Sequence, residues 1–372
     1  MSERICFVCF FGFNQITGTP IRAKKVIEII EKQREVMVIA SGKYKNNIDY
    51  SRNQKLENKQ GSLFVRLLKK NQKIKIFILW LKLLNELIRS SERNIYCFDH
   101  SSAFAASIYK ILFNKNCRII FEVHNLAVLP DRQNKLWDFI ERFCYSKVDC
   151  ILAPTNKMKE ILVEKYTVDK NKINVIWVSA DLDKIKFKPL RKSSKFIIGY
   201  GGNDSPYQGV PLMLEAAKKI SSNKKIEFMF VGLDPKKYTS YASETIKFPG
   251  KLPDKEFFNS LSNCNALMVC YTGTFAETTF PSKVSNYLAL GRPIIVPNTG
   301  ELPFIIHLAN CGVIFKQNNV DELVNRINYL YSRPFSELET FSINARKFAE
   351  EKLNPDSYEK EINEIFKKLN ID

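Results

Sequence analysis

Ser282, Lys283 and Asn286 are the residues whose types and spacing first suggest chemistry. They lie in Phe275 to Ile305, FAETTFPSKVSNYLALGRPIIVPNTGELPFI. Pro281 suits a first helical turn, Gly291 the helix exit, and Pro293 follows where a helix cannot continue. The unpaired backbone N–H groups of such a start carry roughly half a positive charge and form a site for phosphate. Ser282 adds a hydroxyl donor and Lys283 a mobile ammonium, and Asn286 falls on the same face four residues on. An ordinary crossover unit with a surface lysine fits the same residues.

Other chemistry-bearing residues cluster at predicted strand ends. Asp99 and His100 follow the strand Ile95 to Phe98, and His124 and Asn125 follow Arg118 to Val123. The chain has three histidines, so two at equivalent edges point toward a site. After the first strand comes NQITGTPIR, where Gly18 permits close backbone approach and Arg22 opens the next helix. It lacks the spacing of either common phosphate-loop motif, and a plain strand-to-helix turn fits equally. In the second half Gly201 and Gly202 leave room for a ligand against the backbone, and Gln208-Gly209 opens a helix.

These positions require parallel strands alternating with helices, which is what the apolar runs and amphipathic patterns predict: an α/β chain. The first series of strands is Ile5 to Phe11, Glu35 to Ala40, Ile95 to Phe98, Arg118 to Val123, Cys150 to Ala153 and Asn174 to Val178. The second is Phe196 to Tyr200, Ile226 to Val231, Ala266 to Cys270, Ile294 to Val296 and Gly312 to Phe315. Predicted helices include Ile21 to Lys32, Leu136 to Ser146 and Asp356 to Leu369. The polar, basic stretch Ser179 to Lys195 separates the series. The expected domains are 1–185 and 186–355, with the terminal helix, 356–372, returning to the first. Two Rossmann-like domains would face each other across a cleft.

With 372 residues and 45% hydrophobic side chains, two cores can be filled. The apolar run Ile5 to Phe13 lacks a cleavage site and reads as a strand, not a leader. Ile74 to Ile88 is interrupted by Lys75, Lys82, Asn85 and Glu86, too often for a bilayer crossing. Nine cysteines without metal-ligand spacing predict neither zinc nor a disulfide framework and fit a reducing cytoplasm. The net charge of +18 points to a polyanionic partner, or to a compositional bias toward surface lysine.

The order of these pieces resembles the GT-B glycosyltransferases, in particular the large retaining group called family 4. The matching segments are EVHN after a strand, KINVIWVSADLDKIKF, a glycine-rich strand end followed by QGVPLMLEAA, FPGKLPDKEFFNSLSNCNALMV, and PSKVSNYLALGRPIIV. The resemblance implies a UDP- or GDP-sugar donor on the C-terminal domain, an acceptor on the N-terminal one, and transfer without an essential metal. It places His124 near the reacting centre, Gly18 beside the sugar or phosphate, Arg22 on the diphosphate, and Lys283 with Ser282 on the departing charge. Asp99, His100 and Asn125 fall on the acceptor side.

The departures from the family pattern are specific. Asn286 stands where a second glutamate is usual, and Glu277 lies nine residues before it, one out of register. Glu277 either hydrogen-bonds sugar hydroxyls or is solvated. Gln208 occupies the position of a usual lysine, and Glu301 either touches the donor or opens a helix.

Residues Val65 to Arg89 interleave Leu, Ile, Phe77 and Trp80 with Arg66, Lys69, Lys70, Lys73, Lys75 and Lys82, as a helix in a lipid interface or a basic helix covering a sheet would. The expectation is thus a cytoplasmic transferase, peripheral on the inner face of an anionic membrane, extending a lipid-linked or surface glycan such as lipopolysaccharide or capsule. The alternative is a non-catalytic sugar-nucleotide-binding subunit of the same fold. A nucleic-acid binder lacks any supporting motif.

Overall fold

The computed structural model describes residues 4–10, 18–40, 48–49, 72–126, 134–177, 179–180, 182–273 and 275–371. The chain forms two compact units, residues 1–176 with 359–372, and residues 177–358.

The first unit holds a parallel sheet of β1 (Ile5–Cys9), β2 (Val36–Ala40), β3 (Ile48–Asp49), β4 (Asn94–Cys97), β5 (Arg118–Glu122), β6 (Cys150–Ala153) and β7 (Ile173–Val175). Its spatial order is β3-β2-β1-β4-β5-β6-β7. The second holds β8 (Phe196–Gly201), β9 (Ile226–Val231), β10 (Ile246–Gly250), β11 (Ala266–Met268), β12 (Ile294–Pro297) and β13 (Gly312–Phe315), ordered β10-β9-β8-β11-β12-β13. Both orders reverse direction once, beside β1 and β8, so each sheet has one switch point, between β1 and β4 and between β8 and β11. In doubly wound sheets this is where a ligand meets the strand ends.

The strands form because their residues are apolar on both faces, as strands covered by helices on two sides must be. In β12, Ile295 packs into the core on one side of the sheet, while Ile294 and Val296 pack into that on the other. Each such side chain contributes about 1.5–3 kcal/mol on burial.

The structure shifts several expected boundaries. β1 ends at Cys9 and β11 at Met268, each two residues early, because the chain turns to form its switch point. β7 begins at Ile173 and ends at Val175. β3 and β10 were not expected: β3 has two residues, and β10 is an edge strand whose register shifts between Lys247 and Gly250. Pro281 precedes its helix, Ser282–Ala289, as the extended N-cap residue. Gly18 starts the helix Gly18–Ile30, while the preceding loop residues and positions 65–71 of the basic stretch lie outside the described residues.

Candidate functional site

In the second unit, Lys283 reaches the switch point. Its Nζ lies 4.0 Å from the ring centre of Tyr200 on β8 and 5.8 Å from that of Tyr271, just beyond β11. It donates a 2.6 Å hydrogen bond to Oε1 of Gln208. No carboxylate among the described residues pairs with it. Burial among these rings brings the Lys283 pKa down to about 7.

The backbone around this ammonium is fitted to it. Gly202 has φ +148°, and a Cβ there would lie 2.8 Å from Lys283 Nζ, so the missing side chain makes room for the lysine itself. Gly201 differs from its expected role: Phe257 and Leu261 fill the space beside it, and its N–H donates to Tyr287 Oη at 2.7 Å. Its lack of a side chain serves packing against the helix Asp254–Ser262. Gly209, φ +65°, carries the chain from Gln208 into the helix Val210–Ile220, and a Cβ on it would fall 1.8 Å from the carbonyl oxygen of Cys270.

Ser282 is exposed at the start of its helix, and Asn286, one turn on, is half-buried; neither side chain has a hydrogen-bond partner among the described residues. The N-cap Pro281 supplies no capping side chain, so this helix start has donors to offer. Glu277, on the short helix Phe275–Thr278, is half-buried and forms no ion pair among the described residues. Glu301 is buried at the start of the helix Leu302–Ala309 and accepts from Trp177 Nε1 at 3.4 Å.

In the first unit, His124 follows β5 with its ring stacked parallel on Phe98, the centroids 6.2 Å apart. Its Nε2 is buried with no hydrogen-bond partner among the described residues. Burial lowers its pKa to about 4, outweighing the attraction of Glu122, so the ring is neutral at pH 7. Such a ring gives or takes a hydrogen bond without carrying charge.

Glu122 was not singled out from sequence. Its carboxylate is fully buried and accepts from Arg22 Nε and from the hydroxyl of Tyr96 on β4. Burial alone would raise its pKa, but Arg22, His124 and Tyr96 together hold it below the usual range. Arg22, expected on a diphosphate, is turned inward to this carboxylate and to the carbonyl of Ile176. A charged residue inside the otherwise apolar strand RIIFE was the available signal.

Two acceptor-side candidates also have structural work. Asp99 joins the ends of β1 and β4: one oxygen accepts from Phe10 N at 2.7 Å, and the other caps the helix His100–Leu112 through Ser102 N at 2.8 Å. His100 turns into the core, where Nε2 lies 3.2 Å from both Tyr145 Oη and Glu141 Oε1. Asn125 is exposed. Among the described residues, no group of His, Cys, Asp and Glu is placed to hold a metal ion.

Two Rossmann-like halves, one with a lysine and a helix start without a capping side chain at its switch point, define the GT-B class of sugar transferase. A model of Glycosyltransferase Family 4 matches residues 32–184, and a model of Glycosyl transferases group 1 matches residues 181–348. The chain belongs to the GT-B glycosyltransferases, its first half of the family 4 type and its second of group 1. Among curated proteins, none matches it by sequence.

Solved structures resemble it over their whole length. Sucrose-phosphate synthase from Thermosynechococcus elongatus superposes with a TM-score of 0.75 at 15% identity, covering 99% of each chain. Anabaena Alr3699/HepE, in complex with UDP-glucose, gives 0.73 at 15% identity over 98% of this chain and 99% of that one. WaaG, a glycosyltransferase involved in lipopolysaccharide biosynthesis, gives 0.65 at 12% identity, covering 98% and 99%. At these identities the likeness is one of fold.

Proposed function

We propose that the protein takes a sugar from a UDP- or GDP-sugar and passes it, with retention of anomeric configuration, to a lipid-linked or oligosaccharide acceptor in surface-glycan assembly such as lipopolysaccharide or capsule. The observation that carries this reading is the Lys283 side chain, held at the switch point over Tyr200 beside a helix start that has no capping side chain. In the reaction the bond from the anomeric carbon to the diphosphate oxygen breaks and a bond to the acceptor oxygen forms. The acceptor proton passes to the departing diphosphate. Lys283, Ser282 and the helix N–H groups stabilise the charge left on that group, without an essential metal.

Asn286 and Glu277 offer hydrogen bonds to ribose and sugar hydroxyls, and Glu301 lies buried at the next helix start. The Nε2 of His124, without a partner among the described residues, offers one to a sugar hydroxyl, and Gly18 lets the chain approach the donor. The UDP and UDP-glucose held by HepE support a uridine donor.

An anionic membrane as the working surface is supported by the first unit. Phe77 and Leu81, on the amphipathic helix Gln72–Ser90, are exposed, as are Leu136 and Phe139 on the helix Lys135–Lys147. Trp80 and Trp137, one on each helix, meet edge to face 6.5 Å apart, and nearby in sequence Lys135 is exposed and Lys82 half-buried. Apolar rings beside lysines suit an anionic interface. No helix among the described residues is long and apolar enough to cross a membrane.

A panel of UDP- and GDP-sugars incubated with a lipid-linked acceptor tests the reading. Transfer from one donor is the expected result. Binding with neither transfer nor donor hydrolysis would favour the alternative, a non-catalytic subunit, to which Asn286 and Gln208 in place of charged residues point.

A further inference from the structure

Lys283 has one hydrogen-bond acceptor among the described residues, and it is neutral: Oε1 of Gln208, at 2.6 Å. The amide presents its oxygen here, and that oxygen can only accept, so Lys283 is the donor whether it is an amine or an ammonium. Its Nε2 is left without a partner among the described residues. Gln208 is held in place by its surroundings. It closes the single turn Pro206–Gln208, its N–H donates to Ser205 O at 2.8 Å, and Gly209 behind it is wedged against the Cys270 carbonyl. The Tyr200 hydroxyl lies 3.3 Å from the same Oε1 and donates its one proton to Asn203 O at 2.5 Å.

The other groups facing Lys283 among the described residues are uncharged. Burial raises the pKa values of Tyr200 on β8, of Cys270 and Tyr271 beyond β11, and of Tyr287 one turn along the lysine's own helix, so all four are neutral at pH 7 to 8. Asp204, in the loop leading to Gln208, is paired with Lys237 and Tyr238. Glu277 makes no ion pair among the described residues. Among the described residues the amine therefore has no counter-charge, and a diphosphate would supply one.

We propose that Gln208 is a neutral latch for Lys283: in the free protein its amide oxygen occupies the hydrogen bond that a nucleoside diphosphate takes over, and this exchange draws a proton onto the lysine. The proposal rests on the nucleotide reading of the site and adds its protonation chemistry. Exchange frees the amide, whose NH2 group can then donate to a phosphate oxygen. A carboxylate at 208 would act differently. It would keep Lys283 protonated in the free protein and compete with the incoming anion.

The test is calorimetric titration with UDP, and in parallel GDP, at pH 8.0 in HEPES and in Tris, whose differing heats of ionisation report protons exchanged. At this pH the terminal phosphate is already fully ionised, its second pKa being about 6. The wild-type protein is expected to take up roughly one proton per nucleotide, since most of the lysine starts neutral. Lys283→Arg, permanently charged, and Gln208→Glu, which supplies the counter-charge beforehand, are each expected to take up none, and Gln208→Glu to bind at least about tenfold more weakly.

Nucleotide binding by wild type with the same heat in both buffers overturns the latch and leaves the nucleotide site standing. Equal uptake in wild type and both variants overturns it as well. No binding of either nucleotide overturns the reading beneath it.

Discussion

The guanidinium of Arg22 and the carboxylate of Glu122, 100 residues apart in sequence, form a buried ion pair that fastens the first helix to the end of β5, two residues before His124. Tyr96 completes the carboxylate's hydrogen bonds from β4. Three elements are thereby joined at one strand edge, and the geometry of His124 depends on all of them.

Removing one partner leaves the other buried without its counter-charge. Arg22→Met is expected to cost about 3–5 kcal/mol, and Arg22→Met with Glu122→Met clearly less than the two single losses added together. Urea unfolding of the three variants measures this.

His124 carries a pKa near 4 in the folded protein against an ordinary value of 6.5. The unfolded chain therefore binds more protons between these values, so the His124 contribution to stability is complete above about pH 6.5 and is lost as pH falls through 4. His124→Gln is expected to flatten the acid limb of a stability profile from pH 4 to 6.5. Since the ring stays neutral, no limb near pH 6.5 in the rate profile is expected from it, and His124→Ala should lower kcat by about 10²-fold with KM little changed.

Gly209 and Gly273 both have positive φ, +65° and +71°, but a Cβ on Gly209 meets the Cys270 carbonyl at 1.8 Å while one on Gly273 meets nothing within 4 Å. Gly273→Ala carries only the backbone strain, about 1 kcal/mol. Gly209→Ala must also displace the strand end that carries Tyr271, and is expected to abolish nucleotide binding or prevent stable folding. Thermal unfolding followed by UDP titration separates the pair.

Much of this was legible in the residues. Cys150–Ala153, Ile226–Val231 and Gly312–Phe315 stand where the apolar runs placed them, because strands buried on both faces need uninterrupted apolar sequence. β10 escaped notice because, at the sheet edge, it tolerates Lys247 and Pro249 and shows no run. Lys283 and Gln208 were legible from helix-start chemistry, but their contact spans 75 residues, and the tyrosines around them read as ordinary core. The roles of Asp99 and His100 were decided by capping and by Glu141, neither of which a strand-end rule can see.

The exposed rings of the first unit bear on where the protein works. Phe77→Glu with Leu81→Glu is expected to reduce sedimentation with phosphatidylglycerol vesicles at least about tenfold while leaving UDP affinity unchanged. Equal loss of both would show damage to the fold instead of to a surface.

The central claim is that the nucleotide's diphosphate is anchored at Lys283, and a crystal structure with bound UDP tests it most directly. The account requires a phosphate oxygen within about 3 Å of Lys283 Nζ, with the amide of Gln208 released from the lysine and the helix start at Ser282 facing the anion. A UDP molecule bound elsewhere, with Lys283 still on Gln208, would contradict it.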